Sequence, residues 1–269
     1  MDKNKKIIFV TPPPKIHRTA EENLGLGYLA AALRQQGYSV AIIDAWLYCF
    51  TVEELVDKIL KINQPLFLGV SCYRYSIDEV SCIIQKLHSN NFSAPIIAGG
   101  FGPTFYEKEF LDIGCNYVVR GEAEETIVRI AACLENNFFE AITRLGGISY
   151  LNTEGNIIRN EKSVGVYQLD KLPFPARDTI KQTICLKNPV HLVTSRGCEA
   201  HCLFCSVVAF MREMGQIPGW RSRSIENIVD ELDYLYSTYG VQCFKIVDDS
   251  FLEYPRDTRW VNEFANQLS

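Results

Sequence analysis

Pro95-Ile-Ile-Ala-Gly-Gly-Phe-Gly-Pro103 is a short apolar run closed by glycines, and its reading decides the fold. A run of that length between turn residues reads as a buried strand, and glycines at its end let the backbone approach a large ligand closely. Taken alone, Gly99 and Gly100 serve a tight turn equally well. The argument comes from repetition. Further apolar runs lie at 6–11, 39–44, 66–71 and 117–120, with amphipathic stretches at 24–36, 52–62, 77–88, 106–111 and 122–135. That alternation predicts a parallel sheet covered by helices, although periodicity does not separate 66–71 from a turn of buried helix. Local punctuation agrees: Gly37 falls where a left-handed C-terminal cap belongs, and Thr51 precedes Glu54 at capping-box spacing.

In an open sheet of this kind the ligand lies outside the carboxyl ends of the strands. The residues there are Thr11 with the prolines 12–14, Asp44-Ala45-Trp46, Ser71-Cys72-Tyr73, the run 99–103, and Arg120-Gly121-Glu122. Thr11, Ser71, Gly99, Gly100, Gly121 and Glu122 are the candidate ligand-binding residues of this half.

A second stretch carries the chemistry: Ser195-Arg-Gly-Cys-Glu-Ala-His-Cys-Leu-Phe-Cys-Ser206. Cys198, Cys202 and Cys205 on a Gly-containing loop can turn toward one centre, as soft metals and iron-sulfur clusters require, and three ligands leave one position open. Two plainer readings stand beside this one. The ten cysteines of the chain allow an accidental cluster, and His201 would complete a Cys3His zinc set. Structural zinc sites usually come as two separated ligand pairs, and no second pair matches here.

Composition bounds the partners. The 269 residues are 47% hydrophobic and 22% charged, enough for a substantial core in one large or two moderate domains. A formal net charge of −5 gives no broad basic field, so neither nucleic acid nor an anionic membrane is the expected partner. The apolar run after the basic start breaks at the prolines 12–14, too soon for a signal-peptide core, and no run has the roughly twenty apolar residues of a membrane helix. A cytoplasmic protein with reduced thiols is expected. The other cysteines, Cys49, Cys72, Cys82, Cys115, Cys133, Cys185 and Cys243, fall in or beside apolar segments and read as small hydrophobes.

The C-x3-C-x2-C spacing, with Phe204 before the last cysteine and an apolar strand at 190–194 leading in, resembles the radical S-adenosylmethionine (SAM) superfamily. The resemblance implies that Cys198, Cys202 and Cys205 bind a 4Fe-4S cluster, that SAM chelates the unique iron, and that one electron cleaves SAM to a 5'-deoxyadenosyl radical. It further implies that Phe204 faces the adenine. Asp248 and Asp249, after a strand at 242–247, would receive the SAM amino group, an ammonium facing carboxylates. Two exposed turn acids are the plain alternative. Leu24-Gly-Leu-Gly-Tyr-Leu-Ala-Ala-Ala-Leu33, the run 96–104, and Tyr117-Val-Val-Arg-Gly-Glu-Ala-Glu-Glu-Thr126 resemble the cobalamin-binding domain that precedes the radical SAM barrel in one large class. By that resemblance the fold is α/β: a flavodoxin-like (Rossmann-like) cobalamin-binding domain followed by the first part of a partial (βα)6 radical SAM barrel. The corrin would lie over the strand ends, with its nucleotide tail near Ser71, Gly99 and Gly100. The D-x-H-x-x-G motif of other cobalamin proteins is absent; His17 lies in the corresponding loop without its companions, and a solvated loop histidine is expected there.

The expected organisation is a cobalamin-binding domain at 1–140, a hairpin and proline-containing connector at 141–185, and the amino-terminal portion of the barrel at 186–269. Leu172-Pro-Phe-Pro-Ala-Arg-Asp178 has two prolines that fix an extended course, suited to a segment laid over a surface. Ser224 would cap a helix reaching about residue 239, ended by Gly240. Arg221 and Arg223 receive no role. A six-unit partial barrel needs about four more βα units of roughly 30 residues each after this point, so the chain is expected to stop inside the barrel, with an exposed sheet edge and no complete catalysis on its own.

The expected function is that of a cobalamin-dependent radical SAM enzyme carrying out methyl transfer or a radical cyclisation or rearrangement on an undetermined small molecule, fed by a reductant such as flavodoxin or ferredoxin. The alternatives are a non-catalytic corrinoid- or cluster-binding module and, further off, a nucleotide-binding α/β domain with an appended zinc loop.

Overall fold

The computed structural model describes residues 6–15, 21–200, 202–215 and 219–268. His17 and His201 lie outside the described residues. The first half builds a sheet from β1 (Ile7–Thr11), β2 (Val40–Asp44), β3 (Leu68–Ser71), β4 (Ile96–Gly99) and β5 (Tyr117–Val119). Between them run α1 (Leu24–Gln35), α2 (Ala45–Tyr48), α3 (Val52–Leu60), α4 (Ile77–Ser89), α5 (Phe101–Phe105) and α6 (Glu107–Asp112), and α7 (Glu124–Glu135) follows β5. The strand order is 2-1-3-4-5 with every pairing parallel. This is the doubly wound, flavodoxin-like order, whose strand order reverses between β1 and β3.

Alternation along the strands sorts side chains to the two faces. Ile8 and Val10 join Leu68, Val70, Ile96 and Ala98 under α3 and α4. Ile7 and Phe9 join Ile97 and Val119 under α1 and α7. A period of two therefore fills two cores from one strand, which is why β1 is apolar from Ile7 to Val10. Within 66–71, where periodicity did not separate strand from helix, residues Leu68–Ser71 form a strand. The capping box forms: Thr51 accepts from the Glu54 amide and Glu54 returns the bond to the Thr51 amide. Gly37 has φ +85° just past α1.

The hairpin extends the sheet of the first half. After α8 (Phe139–Ile142), β6 (Ile148–Leu151) and β7 (Ile157–Arg159) form the predicted antiparallel pair. β6 also pairs antiparallel with β5, extending the same sheet to seven strands. Register places Val119 opposite Ile148, and both side chains enter the α7 core. Apolar residues on β6 thus had a core to join, and they joined it.

β8 (Ser163–Val164) is followed by the connector, which runs across α1: the Ala176 amide donates to the Gly27 carbonyl at 3.0 Å, and a methyl on Gly27 would lie 2.9 Å from the Ala176 oxygen. Beyond α9 (Ile180–Cys185) come β9 (Val190–Leu192), β10 (Ser195–Gly197), α10 (Ser206–Met211), β11 (Met214–Gly215), β12 (Trp220–Ser222), α11 (Ile225–Tyr239), β13 (Phe244–Ile246) and α12 (Thr258–Gln267). β9 and β13 are parallel, with α11 in the crossover between them. Ile180, Val190, Leu192, Ile228, Leu235 and Val241 fill a separate small core. Ser224 caps α11 and Gly240, at φ +68°, ends it. No described helix is long and apolar enough to cross a membrane.

One expectation for the thiols fails. Cys49, Cys185 and Cys243 are exposed rather than packed, because each lies at the end of its apolar segment, where the chain turns outward. Cys72 and Cys115 are buried as expected; burial raises the Cys72 thiol well above its ordinary range and pushes Cys115 up to about 12.

Candidate functional site

A cavity of about 420 Å³ opens at the carboxyl ends of β1, β3, β4 and β5, at the point where strand order reverses. Pro12, Pro13 and Pro14 continue β1 into its wall, and Ser71, Gly99, Gly100 and Gly121 form part of the sheet side. The glycines have separate reasons. Gly100 has φ +91°, and an added Cβ would meet the Cys72 oxygen at 3.2 Å. Gly102 begins α5 so close to the neighbouring loop that a methyl would lie 2.5 Å from the Tyr73 carbonyl carbon. At Gly99 a methyl would meet nothing nearer than the Val119 oxygen at 3.6 Å. Packing therefore does not require glycine at 99, although it does at 102.

The far wall belongs to the second half of the chain. Val207, Phe210 and Met211 of α10 line the cavity, as do Ser195, Arg196 and Gly197 of β10. Phe210 stacks on Phe101 with centroids 4.5 Å apart and planes at 22°, and Phe101 stacks in turn on Tyr73. Such offset aromatic pairs add about 0.5–1.5 kcal/mol beyond area burial. α10 begins directly after Cys205, so this stack anchors the cysteine loop over the sheet.

Charges join the two halves across the cavity floor. Glu122 pairs with Arg221 (Nη2 to Oε1, 2.7 Å) and lies 3.4 Å from Arg196, while Glu124 pairs with Arg196 at 2.7 Å. The Arg196 guanidinium also sits 4.9 Å from the centre of the Tyr28 ring. Burial works to raise the Glu122 carboxyl, but its bonds to Arg221 and the Arg196 charge outweigh that and hold it below the ordinary value. The two glutamates raise Arg196 against the opposing effect of its burial. Arg221, to which the sequence assigned no role, is thus a buried tie between β12 and the β5–α7 turn. Arg223 is a second buried tie, paired with Glu231 of α11.

The structure separates the sequence-selected residues. Ser71, Gly99, Gly100, Gly121, Glu122 and Asp249 line the cavity. Thr11 is buried beneath it, donating to Asp44 at 2.7 Å and accepting from the Trp46 amide at 3.0 Å, which holds the ends of β1 and β2 together. The two aspartates part ways. Asp248 turns inward, 1% exposed, accepting from the Thr194 amide and both the Thr194 and Ser195 hydroxyls, beside Arg256. Asp249 accepts from the Gly197 amide at 3.1 Å and faces the cavity; desolvation, with the neighbouring Asp248 charge, raises its carboxyl.

Cys198 and Cys205 are half-buried, Cys202 is exposed, and all three are free thiols. Among the described residues no three Cys, His, Asp or Glu side chains are gathered into a metal site. The donor set nevertheless suits a thiolate-held cluster, being three thiols free of disulfides on one short loop, with Cys198 Sγ 3.7 Å from Glu253 and accepting from the Ala200 amide. Glu199 fixes one end by accepting from the Trp220 amide at 2.9 Å, and the Cys205 amide donates to the Cys202 carbonyl at 3.1 Å. Phe204 is 93% exposed beside them, outside the cavity wall. Sequence reasoning missed the aromatic wall of Tyr73, Phe101 and Phe210, and the partners of Glu124 and Arg196. Glu124 and Arg196 both stand inside quoted motifs, but their pairing spans the two halves and leaves no mark in either.

The B12 binding domain family matches residues 18–131. An uncharacterised methyltransferase of Pyrococcus horikoshii is 30% identical over 260 residues, covering 91% of this chain and 54% of that protein. The anaerobic magnesium-protoporphyrin IX monomethyl ester cyclase of Synechocystis is 26% identical over 256 residues, covering 91% of this chain and 50% of the cyclase. The chain thus spans about half the length of these curated relatives. Among solved structures, the cobalamin-dependent SAM radical enzyme OxsB shares the fold across 99% of this chain and 37% of its own, with a TM-score of 0.78 at 21% identity. The radical SAM methyltransferase TsrM from Kitasatospora setae does so across 98% of this chain and 50% of its own, with a TM-score of 0.71 at 18% identity. Strand order and the cavity at the β1/β3 reversal agree with these matches: residues 18–131 match a B12 binding domain, and nearly the whole chain shares the fold of these two enzymes.

Proposed function

We propose that this chain is the corrinoid-binding and cluster-bearing part of a cobalamin-dependent radical SAM enzyme that transfers a methyl group or closes a ring on a small molecule. The observation that carries this reading is the cavity itself. It lies at the strand-order reversal of a flavodoxin-like sheet, and its other wall is the helix that starts at Cys205. Its residues fit a corrinoid: backbone is bare at Gly99 and Gly100 for close approach, and apolar and aromatic side chains supply a flat, water-excluding surface. Bound there, cobalamin would supply a methyl carrier, and a cluster on Cys198, Cys202 and Cys205 would supply the electron that cleaves SAM.

The chain's own residues bind, orient and exclude water. Tyr73, Phe101 and Phe210 form the dry wall, the Glu122–Arg221 pair fixes the floor, and Asp249 offers an acceptor to a cationic group arriving over β10. Asp248 holds β9 and β10 in place from below. Thr11 likewise supports the site without touching its contents. An external one-electron reductant of the flavodoxin or ferredoxin kind completes the proposal.

Gly99 gives the direct test, because the fold tolerates a methyl there while the cavity loses space at its sheet side. Anaerobic titration with hydroxocobalamin, followed by absorbance, is expected to saturate at one corrinoid per chain. Gly99→Ala should weaken binding about tenfold, or ~1.4 kcal/mol, with an unchanged melting temperature. Equal affinity of the two proteins would remove the cavity from the reading, and absence of binding by the unaltered chain would remove the corrinoid.

A further inference from the structure

Glu124 opens α7 with a carboxylate that is only 7% exposed and lines the cavity. Its Oε1 is taken by Arg196 at 2.7 Å, whereas Oε2 is shielded from solvent and has no hydrogen-bond donor among the described residues. A buried carboxylate oxygen without a donor is costly, and native structures seldom leave one unless something else arrives to fill it. The neighbours supply nothing. Arg196 is committed to Oε1, to Glu122 and to the Tyr28 ring. Arg221 spends Nη1 and Nη2 on the two oxygens of Glu122 and on the Val166 carbonyl, and its buried Nε makes no hydrogen bond to Glu124. The single proton of the Ser195 hydroxyl is shared between Asp248 at 2.7 Å and the Ser250 carbonyl at 2.9 Å.

We infer that Glu124 is a specificity-determining acceptor for a neutral N–H donor of the ligand, a primary carboxamide on the rim of the corrin ring. This rests on the corrinoid reading above and deepens it. The chemistry selects the amide over other groups. A second acid would meet an uncompensated like charge, and an ester or alkyl group has no proton to give. A cobalamin ring carries primary carboxamides around its edge, and a rim lying against the β5–α7 turn would bring one of them to Oε2. One face of the cavity thereby distinguishes the amidated corrinoid from its partly hydrolysed forms.

The experiment is an anaerobic equilibrium titration of the full chain with hydroxocobalamin and with the separate monocarboxylic acids made by hydrolysing one carboxamide each. The unaltered chain is expected to bind hydroxocobalamin and to reject one acid isomer by about tenfold or more, the scale of losing a hydrogen bond to a charged group. Glu124→Gln should erase that rejection for the same isomer alone, and bind hydroxocobalamin several-fold more weakly. Uniform affinity across the isomers, or the same preference in Glu124→Gln, would overturn the inference while leaving the corrinoid reading intact. No binding of hydroxocobalamin by the unaltered chain would overturn both. If Glu124→Gln does not fold, the isomer series on the unaltered chain decides alone: one rejected isomer supports the inference and none overturns it.

Discussion

Gly197 has φ +89°, and a methyl there would lie 2.0 Å from the Gly219 carbonyl oxygen and 2.7 Å from Met211 Cε. Backbone opposes it on one side and the cavity wall on the other, so Gly197→Ala is expected to destabilise the chain by about 2 kcal/mol or more in urea unfolding. Gly240→Ala, whose methyl meets nothing within 4 Å, should cost about 1 kcal/mol from its left-handed backbone alone. Glu122 gives the pH test. Its folded carboxyl titrates below the ordinary 4.5, so its pairing contributes fully above that value and is lost as pH falls through the depressed one. Glu122→Gln should therefore cost about 3 kcal/mol at pH 7. The gap between the two proteins should shrink as the pH is lowered past 4.5, and a gap independent of pH would contradict the assigned charge state. At this scale the sequence was legible where backbone decided. Gly37 and Gly240 took left-handed backbone at the helix ends where they were expected, whereas nothing in Asp248-Asp249 told which acid faces inward, because that depends on Thr194 and Ser195 arriving from another strand.

The elements were legible because their signals are local. The Thr51–Glu54 box and the Ser224 and Gly240 ends of α11 formed where the residues placed them. Thr51→Ala is expected to lower stability by about 1 kcal/mol, read as a shift in the urea midpoint with an unchanged slope. What local signals did not show is the sheet that the hairpin joins. Its alternation predicts a two-stranded unit equally well alone or at an edge, and the choice was made by Ile148 finding room beside Val119 and Ile130. α2 was likewise missed, since its four residues are too few for a helical period and its cap depends on Asp44 accepting from the Leu47 amide.

Across the whole molecule, the two halves are tied by buried charges that no single segment reveals. Arg177 of the proline connector pairs with Glu22, with Glu231 of α11 at 2.8 Å, and with the His191 carbonyl at 3.0 Å. Glu231 also pairs with Arg223, and the side chains of Arg177 and Glu231 are each 1% exposed. Removing one member leaves buried charge uncompensated, so Arg177→Met should cost about 3–5 kcal/mol and admit protease into the connector. Adding Glu22→Gln should recover part of the loss, because burial already raises that carboxyl. The central claim is that one chain holds a corrinoid against the sheet and a cluster on the loop above it. The most direct test is metal analysis of the desalted protein after anaerobic reconstitution with iron, sulfide and hydroxocobalamin, beside a variant with Cys198, Cys202 and Cys205 changed to Ser. About four iron atoms and one cobalt per chain are expected, with iron lost and cobalt kept in the variant. Zinc without iron or sulfide, or iron that survives loss of the three cysteines, would contradict it.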